Sequence, residues 1–288
     1  MKKVREAMID AGRSRKLING DVHRIRQMFR WAVGEELAPP DQLAALKAVE
    51  PLEKGRTRAK ERPPIRPVPL EVVRATLPEC SPQVRAMVML QLLAAMRPGE
   101  VIGMRPRDVD RSDPTAWIYR PASHKTEHHD KERAIVLGPR AQGWLADWLM
   151  RDPGAWCFSP AEVLDARERA GLRSGASSVA RPKQGGRYQV GSYCTAIKRA
   201  TERAFPHPTI EGIHPRKRTD EQRAELKLWR VAHHWHPNRL RHTAATLIRS
   251  HQDLEAAQVV LGHAKPDTTL IYAERDLERA KELMRRIG

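Results

Sequence analysis

Apolar residues recur at helical spacing along most of this chain, and only one interval alternates with the period of a strand. Val22, Ile25, Phe29, Ala32 and Val33 form one stripe. Leu43, Leu46 and Val49 form another after Ala38-Pro39-Pro40, with Asp41 as the expected cap. Pro82 opens a helix whose apolar face holds Val84, Met87, Val88 and Leu92, with Met96 near its end. Trp144, Leu145, Trp148 and Leu149 predict a helix over 139–150, and Tyr193, Ile197, Ala200 and Ala204 predict the next. Thr219 and Gln222 have the spacing of a capping box for a helix through Trp229. Residues 238–251 read as a helix, and Asp253 and Gly262 bracket one more. Residues 115–119 and 133–137 alternate instead. The expected fold is therefore mainly α with a small antiparallel β-sheet, an α+β class.

Charge narrows the partner. The chain carries 52 Lys and Arg against 35 Asp and Glu, a formal net charge of +17. That excess favours a polyanion, because each phosphate neutralised releases condensed counterions. Charge alone leaves ribosomal and membrane-surface proteins as rivals. Cys80, Cys157 and Cys194 are odd in number and far apart, so neither a metal site nor a disulfide framework is implied, and a reducing compartment fits. The N-terminus lacks the apolar core of a signal peptide. The longest apolar run, 87–96, contains Gln91 and is too short to span a bilayer. A soluble, cytoplasmic, nucleoid-associated protein is expected.

The chain divides into three parts. Residues 1–50 read as helices, with His23, Arg26 and Arg30 on one basic face. Residues 51–69 read as an extended basic linker, with Pro63, Pro64, Pro67 and Pro69 near its end and Arg56, Arg58 and Lys60 as candidates for contact with phosphates. Residues 70–288 form the main domain, with a basic insertion around 152–235 that includes a loop at 174–186.

The chemistry concentrates late in the chain. His236-Pro-Asn238-Arg-Leu-Arg241-His242-Thr243 opens a helix; Leu261-Gly262-His263 and then Tyr272 follow. Tyrosine is a weak nucleophile, but fixed cations beside it allow attack on a phosphodiester. Earlier, Ala95-Met96-Arg97-Pro98-Gly99-Glu100 places an arginine at a rigid turn between helices. Lys125-Thr126 lies between the two alternating stretches; Lys131 is the second choice. His124, His128 and His129 nearby read as a polar loop, with no metal implied.

These boxes together closely resemble the tyrosine recombinases, the phage-integrase family. Its patterns are Gly-x-Arg-x-x-Glu, a lysine on a β-hairpin, His-x-x-Arg-His-Thr, Leu-Gly-His, and a Tyr nine residues further on. The resemblance implies that Arg97 and Arg241 clamp the scissile phosphate, supported by Glu100 and His242. It makes Lys125 the general acid and Tyr272 the nucleophile, with His263 bonding the phosphate or orienting the tyrosine. Asn238 departs from the pattern, since the family has His there; His236 lies two residues too early. The implied activity is site-specific DNA cleavage and rejoining through a 3′-phosphotyrosyl link. Because one ester replaces another, no cofactor, metal or ATP is expected. A degenerate remnant that only binds DNA and a type IB topoisomerase are the rival readings. Double-stranded DNA is the implied partner, with a homotetramer assembled through the amphipathic tail 277–288 and no membrane. The segment 1–50 resembles the second half of the family's four-helix core-binding domain, so upstream helices are expected to be missing.

Overall fold

The computed structural model describes residues 1–122, 133–171, 185–251 and 254–262. The chain forms two compact units, 1–65 and 66–288.

The first unit holds α1 (Lys2–Asp10), α2 (Arg15–Gly34) and α3 (Pro40–Lys47). Its core is small: Ile9, Ile18, Val22 and Ala59, with Met1, Met8 and Leu52 packed against them. Ile25, Phe29, Ala32 and Val33 are only half-buried, as expected where so few residues share a core. Pro39 precedes the first turn of α3 and Pro40 opens it, so Asp41 lies inside the helix rather than at its cap. The interval 51–69 is not extended throughout. Asn19 exchanges hydrogen bonds with the Leu52 backbone, and the Arg15 amide donates to Lys60 O at 3.0 Å. Residues 52–60 thus pack back onto α2 and contribute Ala59 to the core.

The second unit continues with α4 (Leu70–Thr76), α5 (Pro82–Ala94) and α6 (Pro98–Ile102). A three-stranded antiparallel sheet follows, β1 (Val109–Asp110), β2 (Trp117–Tyr119) and β3 (Ile135–Leu137), in the order β1-β2-β3. The register pairs Trp117 with Leu137, Ile118 with Val136 and Tyr119 with Ile135. The expected sheet is thus present, with β1 as an added edge strand too short to show a pattern. Next come α7 (Pro139–Leu145), α8 (Pro160–Arg169), α9 (Val190–Ala204) and α10 (Asp220–His233), then α11 (Asn238–His251) and α12 (Leu254–Leu261). The helix expected over 139–150 tightens to a 3₁₀ turn after Leu145.

α5 is the centre of this unit. Ser81 caps it by accepting from the Val84 amide, and Pro82 sits in its first turn. Its buried residues cover more than half of the helix, and Arg85, Met89, Leu92 and Leu93 on the remaining side are half-buried. α11, α7 and α9 pack against it. Gln91 is the polar exception. Its Nε2 donates to Met96 O and its Oε1 accepts from the Tyr193 hydroxyl, each at 2.9 Å, so neither end is left unsatisfied. Tyr193, Ile197 and Ala200 place α9 in this core. The interval read as an insertion therefore divides: α9 is integral, whereas α10 packs on α9 and buries no residue completely. The Thr219–Gln222 capping box forms as expected and starts α10 at Asp220.

Cys80 and Cys157 are buried in the same core, and burial pushes their thiols up, to about 11 and about 12. Thiolate is the reactive form, so each unit of pKa removes about tenfold of it. At pH 8 Cys80 is expected to react with a disulfide reagent about a hundredfold, and Cys157 about a thousandfold, more slowly than a free thiol, and both fully in denaturant. Rapid labelling of both in the native protein would contradict their placement. Among the described residues, no helix is long and apolar enough to cross a membrane.

Candidate active site

The first arginine box is a helix start. α5 ends in a left-handed turn at Ala95, with φ 51°. Arg97 is then the cap residue of α6, Pro98 opens the helix, and Glu100 sits in its first turn. One Glu100 oxygen, Oε2, accepts the Arg97 backbone amide at 2.6 Å; the other, Oε1, accepts Arg97 Nη1 at 2.8 Å. A single carboxylate therefore anchors both ends of the arginine. The Glu100 side chain is 3% exposed and that of Arg97 is 24% exposed, so the guanidinium keeps an open face. The Tyr119 hydroxyl donates to Glu100 O at 2.8 Å and ties α6 to the sheet.

The second arginine is enclosed. Arg241 is 0% exposed. Its Nη1 donates to Ala95 O and its Nη2 to Leu261 O. It thus joins the turn of the first box to the last turn of α12, where Gly262 at φ +61° closes the helix with its amide on Val259 O. Leu240, in the preceding position, packs into the main core, and Ile248 packs on Ala95, Ala244, Ala245 and Leu261. His242 and Thr243 are buried beside Arg241. Thr243 bonds both backbone groups of Val68, accepting from its amide at 2.8 Å and donating to its carbonyl at 3.0 Å. Arg239 donates to Arg66 O and Pro67 O. Residues 66–68, read as the end of a linker, are therefore pinned to α11.

Asn238 begins α11, one turn before Arg241 and on the same side. Its amide donates to His236 Nδ1 at 3.1 Å. Burial, with Lys198 nearby, lowers the His236 pKa, which favours the neutral ring. Its Nδ1 is already occupied as an acceptor, so His236 is poorly arranged to take over a base role.

Sequence reasoning overlooked Arg133. It is buried, with its Nε 3.4 Å from Glu100 Oε1 and both terminal nitrogens 3.4 Å from Val260 O. Desolvation lowers its pKa and the adjacent Glu100 opposes that shift. The signal was available. Arg133, two residues before β3, continues the alternate spacing of Ile135 and Leu137, and all three are buried. A cation at an inward position needs a buried carboxylate. Two arginines share Glu100, and Arg241 holds the neighbouring Ala95 carbonyl, so the site carries excess positive charge, suited to an anion.

Lys125, Lys131, His124, His128, His129, Asp253, His263, Tyr272 and the tail 277–288 lie outside the described residues. Of the basic residues expected to track phosphates, Arg26 donates its guanidinium to Leu46 O and Val49 O at the end of α3. Leu46 O lies in the last turn of α3 and Val49 O just beyond it, so the guanidinium sits where a helix end favours positive charge. Arg56 pairs with Glu53, and Arg58 with Glu6 and Asp10; Arg30 and Lys60 are exposed.

This architecture matches the fold of DNA-bound integrases. The integrase of transposon Tn1549 in complex with transposon right end DNA gives a TM-score of 0.60 at 15% identity, covering 99% of this chain and 83% of that one. A lambda integrase dimer bound to a COC′ core site gives 0.52 at 16% identity, covering 95% and 63%. The phage integrase family model matches residues 75–279, and the chain belongs to that family. Tyrosine recombinase XerC of Yersinia pestis is 28% identical over 196 residues, 67% of this chain and 48% of that protein. XerC of Serratia marcescens gives the same figures. The chain spans about half the length of these curated relatives.

Proposed function

We propose that this chain is a site-specific DNA recombinase that cleaves and rejoins DNA through a 3′-phosphotyrosyl intermediate. Family membership and the arginine-rich site around Glu100 support the reading; the observation that carries it is Arg97. Its guanidinium is fixed at both ends to one buried carboxylate yet keeps an exposed face. That is a preorganised donor for a phosphate oxygen, with little reorganisation left to pay for during reaction.

In this mechanism Arg97 bonds the nonbridging oxygens of the scissile phosphate, and Arg241, enclosed with its terminal nitrogens on Ala95 O and Leu261 O, adds positive charge beside the turn that carries Arg97. The Tyr272 phenol gives its proton to water as its oxygen forms the new bond to phosphorus, and the bond to the 5′ oxygen breaks. Lys125 gives that leaving oxygen a proton, yielding a free 5′-hydroxyl. His263 bonds the phosphate or orients Tyr272. A partner 5′-hydroxyl reverses the step and rejoins the strand. Duplex DNA is the substrate, in a cytoplasmic, nucleoid-associated setting, and four copies joined through 277–288 would assemble two duplexes.

Covalent trapping tests the proposal. The full chain, mixed with a pool of nicked and randomised duplexes enriched in DNA flanking its own gene, should give an adduct that survives denaturation. Clear DNA binding with no adduct would favour a remnant that only binds DNA, the reading that Asn238 supports. Supercoil relaxation without site-specific joining would favour a topoisomerase.

Asn238 makes a separate prediction. An amide can bond a phosphate but cannot take a proton at neutral pH. Asn238→His is expected to retain or raise the rate of adduct formation, and Asn238→Ala to lower it. A large loss in the histidine variant would contradict the assignment of this position.

A further inference from the structure

We propose that Arg133 is a positioning residue, a bridge that fixes Arg97 and the Leu261-Gly262 turn relative to one another. The inference rests on the recombinase reading for its chemistry and on geometry alone for the bridge.

Glu100 Oε1 is shared: it accepts Arg97 Nη1 at 2.8 Å and lies 3.4 Å from Arg133 Nε. The far end of the same guanidinium faces Val260 O. Arg241 holds the adjacent carbonyl, Leu261 O. Two guanidiniums thus cap successive carbonyls at the C-terminal end of α12, where the helix dipole favours positive charge. Gly262 confirms how close the approach is. A Cβ built there would collide with Arg133 Nη1, with Cζ at 3.1 Å. The glycine supplies the positive φ, and a side chain there would displace the guanidinium. His263 is the next residue in sequence, so the position of this turn sets where the chain leaves toward it. Arg133 also lies two residues before β3, in the segment that follows Lys125 and Lys131 in sequence. One side chain therefore ties the Arg97–Glu100 pair to the Leu261-Gly262 turn. Because it is buried, it acts on phosphate only through the residues it holds.

The test has two arms. In single-turnover cleavage of the nicked duplex recovered by trapping, at saturating DNA, Arg133→Ala should slow adduct formation by about 100-fold, the scale of one lost transition-state donor. DNA affinity should stay within about twofold, since a buried bridge makes no phosphate contact. The final yield of adduct should match the parent, which separates slow chemistry from a misfolded fraction. Arg133→Lys keeps the charge and should recover part of the rate; it also carries the measurement if the alanine variant does not fold. A parent rate in both variants would overturn the proposal. The second arm needs no activity. Gly262→Ala should lower the melting temperature less in the Arg133→Ala or Arg133→Lys background than in the parent, because the collision is relieved. Equal losses would overturn the bridge. If the parent forms no adduct, the recombinase reading fails while this cycle still decides the bridge.

Discussion

Tyr272→Phe is expected to bind duplex DNA as the parent does and to form no covalent adduct. The substitution removes only the phenol oxygen, the atom that would bond to phosphorus. It removes no charge near neutral pH, where tyrosine is protonated, so the number of phosphate contacts and the salt dependence of binding should not change. The rest of the chain offers no substitute. There are four tyrosines, and Tyr119, Tyr188 and Tyr193 are all buried in the core. Tyr119 donates to Glu100 O and Tyr193 to Gln91 Oε1. Burial pushes all three phenols up, Tyr188 to about 12. Denaturing gels and a salt titration check the two halves of the prediction. An adduct that persists in the phenylalanine variant would place the nucleophile elsewhere.

Arg241→Ala is expected to lose both stability and chemistry. The guanidinium is fully buried and satisfies Ala95 O and Leu261 O. Leaving a buried acceptor unpaired costs about 1–3 kcal/mol. Two such losses are partly offset by relief from burying a charge, for a net of roughly 3 kcal/mol. For a unit of this size that lowers the melting temperature by about 6–12 °C. Removing an arginine that stabilises a phosphoryl transition state lowers the rate by about 10³-fold or more. Arg241→Lys separates the effects. Its compact ammonium cannot span two carbonyls as a planar guanidinium does, so it should regain little stability and little activity. A variant with the parent's melting temperature would show that the two carbonyl bonds contribute nothing.

Local chemistry was legible in the sequence, and long-range pairing was not. Thr219 and Gln222 announced the start of α10, and Pro82 that of α5, because capping depends on residues a few positions apart. Arg97 with Glu100 was legible for the same reason. The fold-back of residues 52–60 was hidden because irregular backbone finds its partners in distant side chains such as Asn19. The hold of Arg239 and Thr243 on residues 66–68 spans more than half the chain and leaves no periodic trace. The usual glycine of the first box is Ala95 here. The structure explains what that position demands: a left-handed turn, which glycine adopts freely and alanine adopts at a cost of about 1 kcal/mol.

The bonds from Arg241 to Ala95 O and Leu261 O also govern how the site comes apart. They join segments that are remote in sequence but share one buried side chain. The α6 start cannot swing away while α11 and α12 stay closed. In amide hydrogen exchange, the helical amides around Val101 and Val260 should therefore lose protection in a single opening event, with the same free energy, instead of fraying one helix at a time.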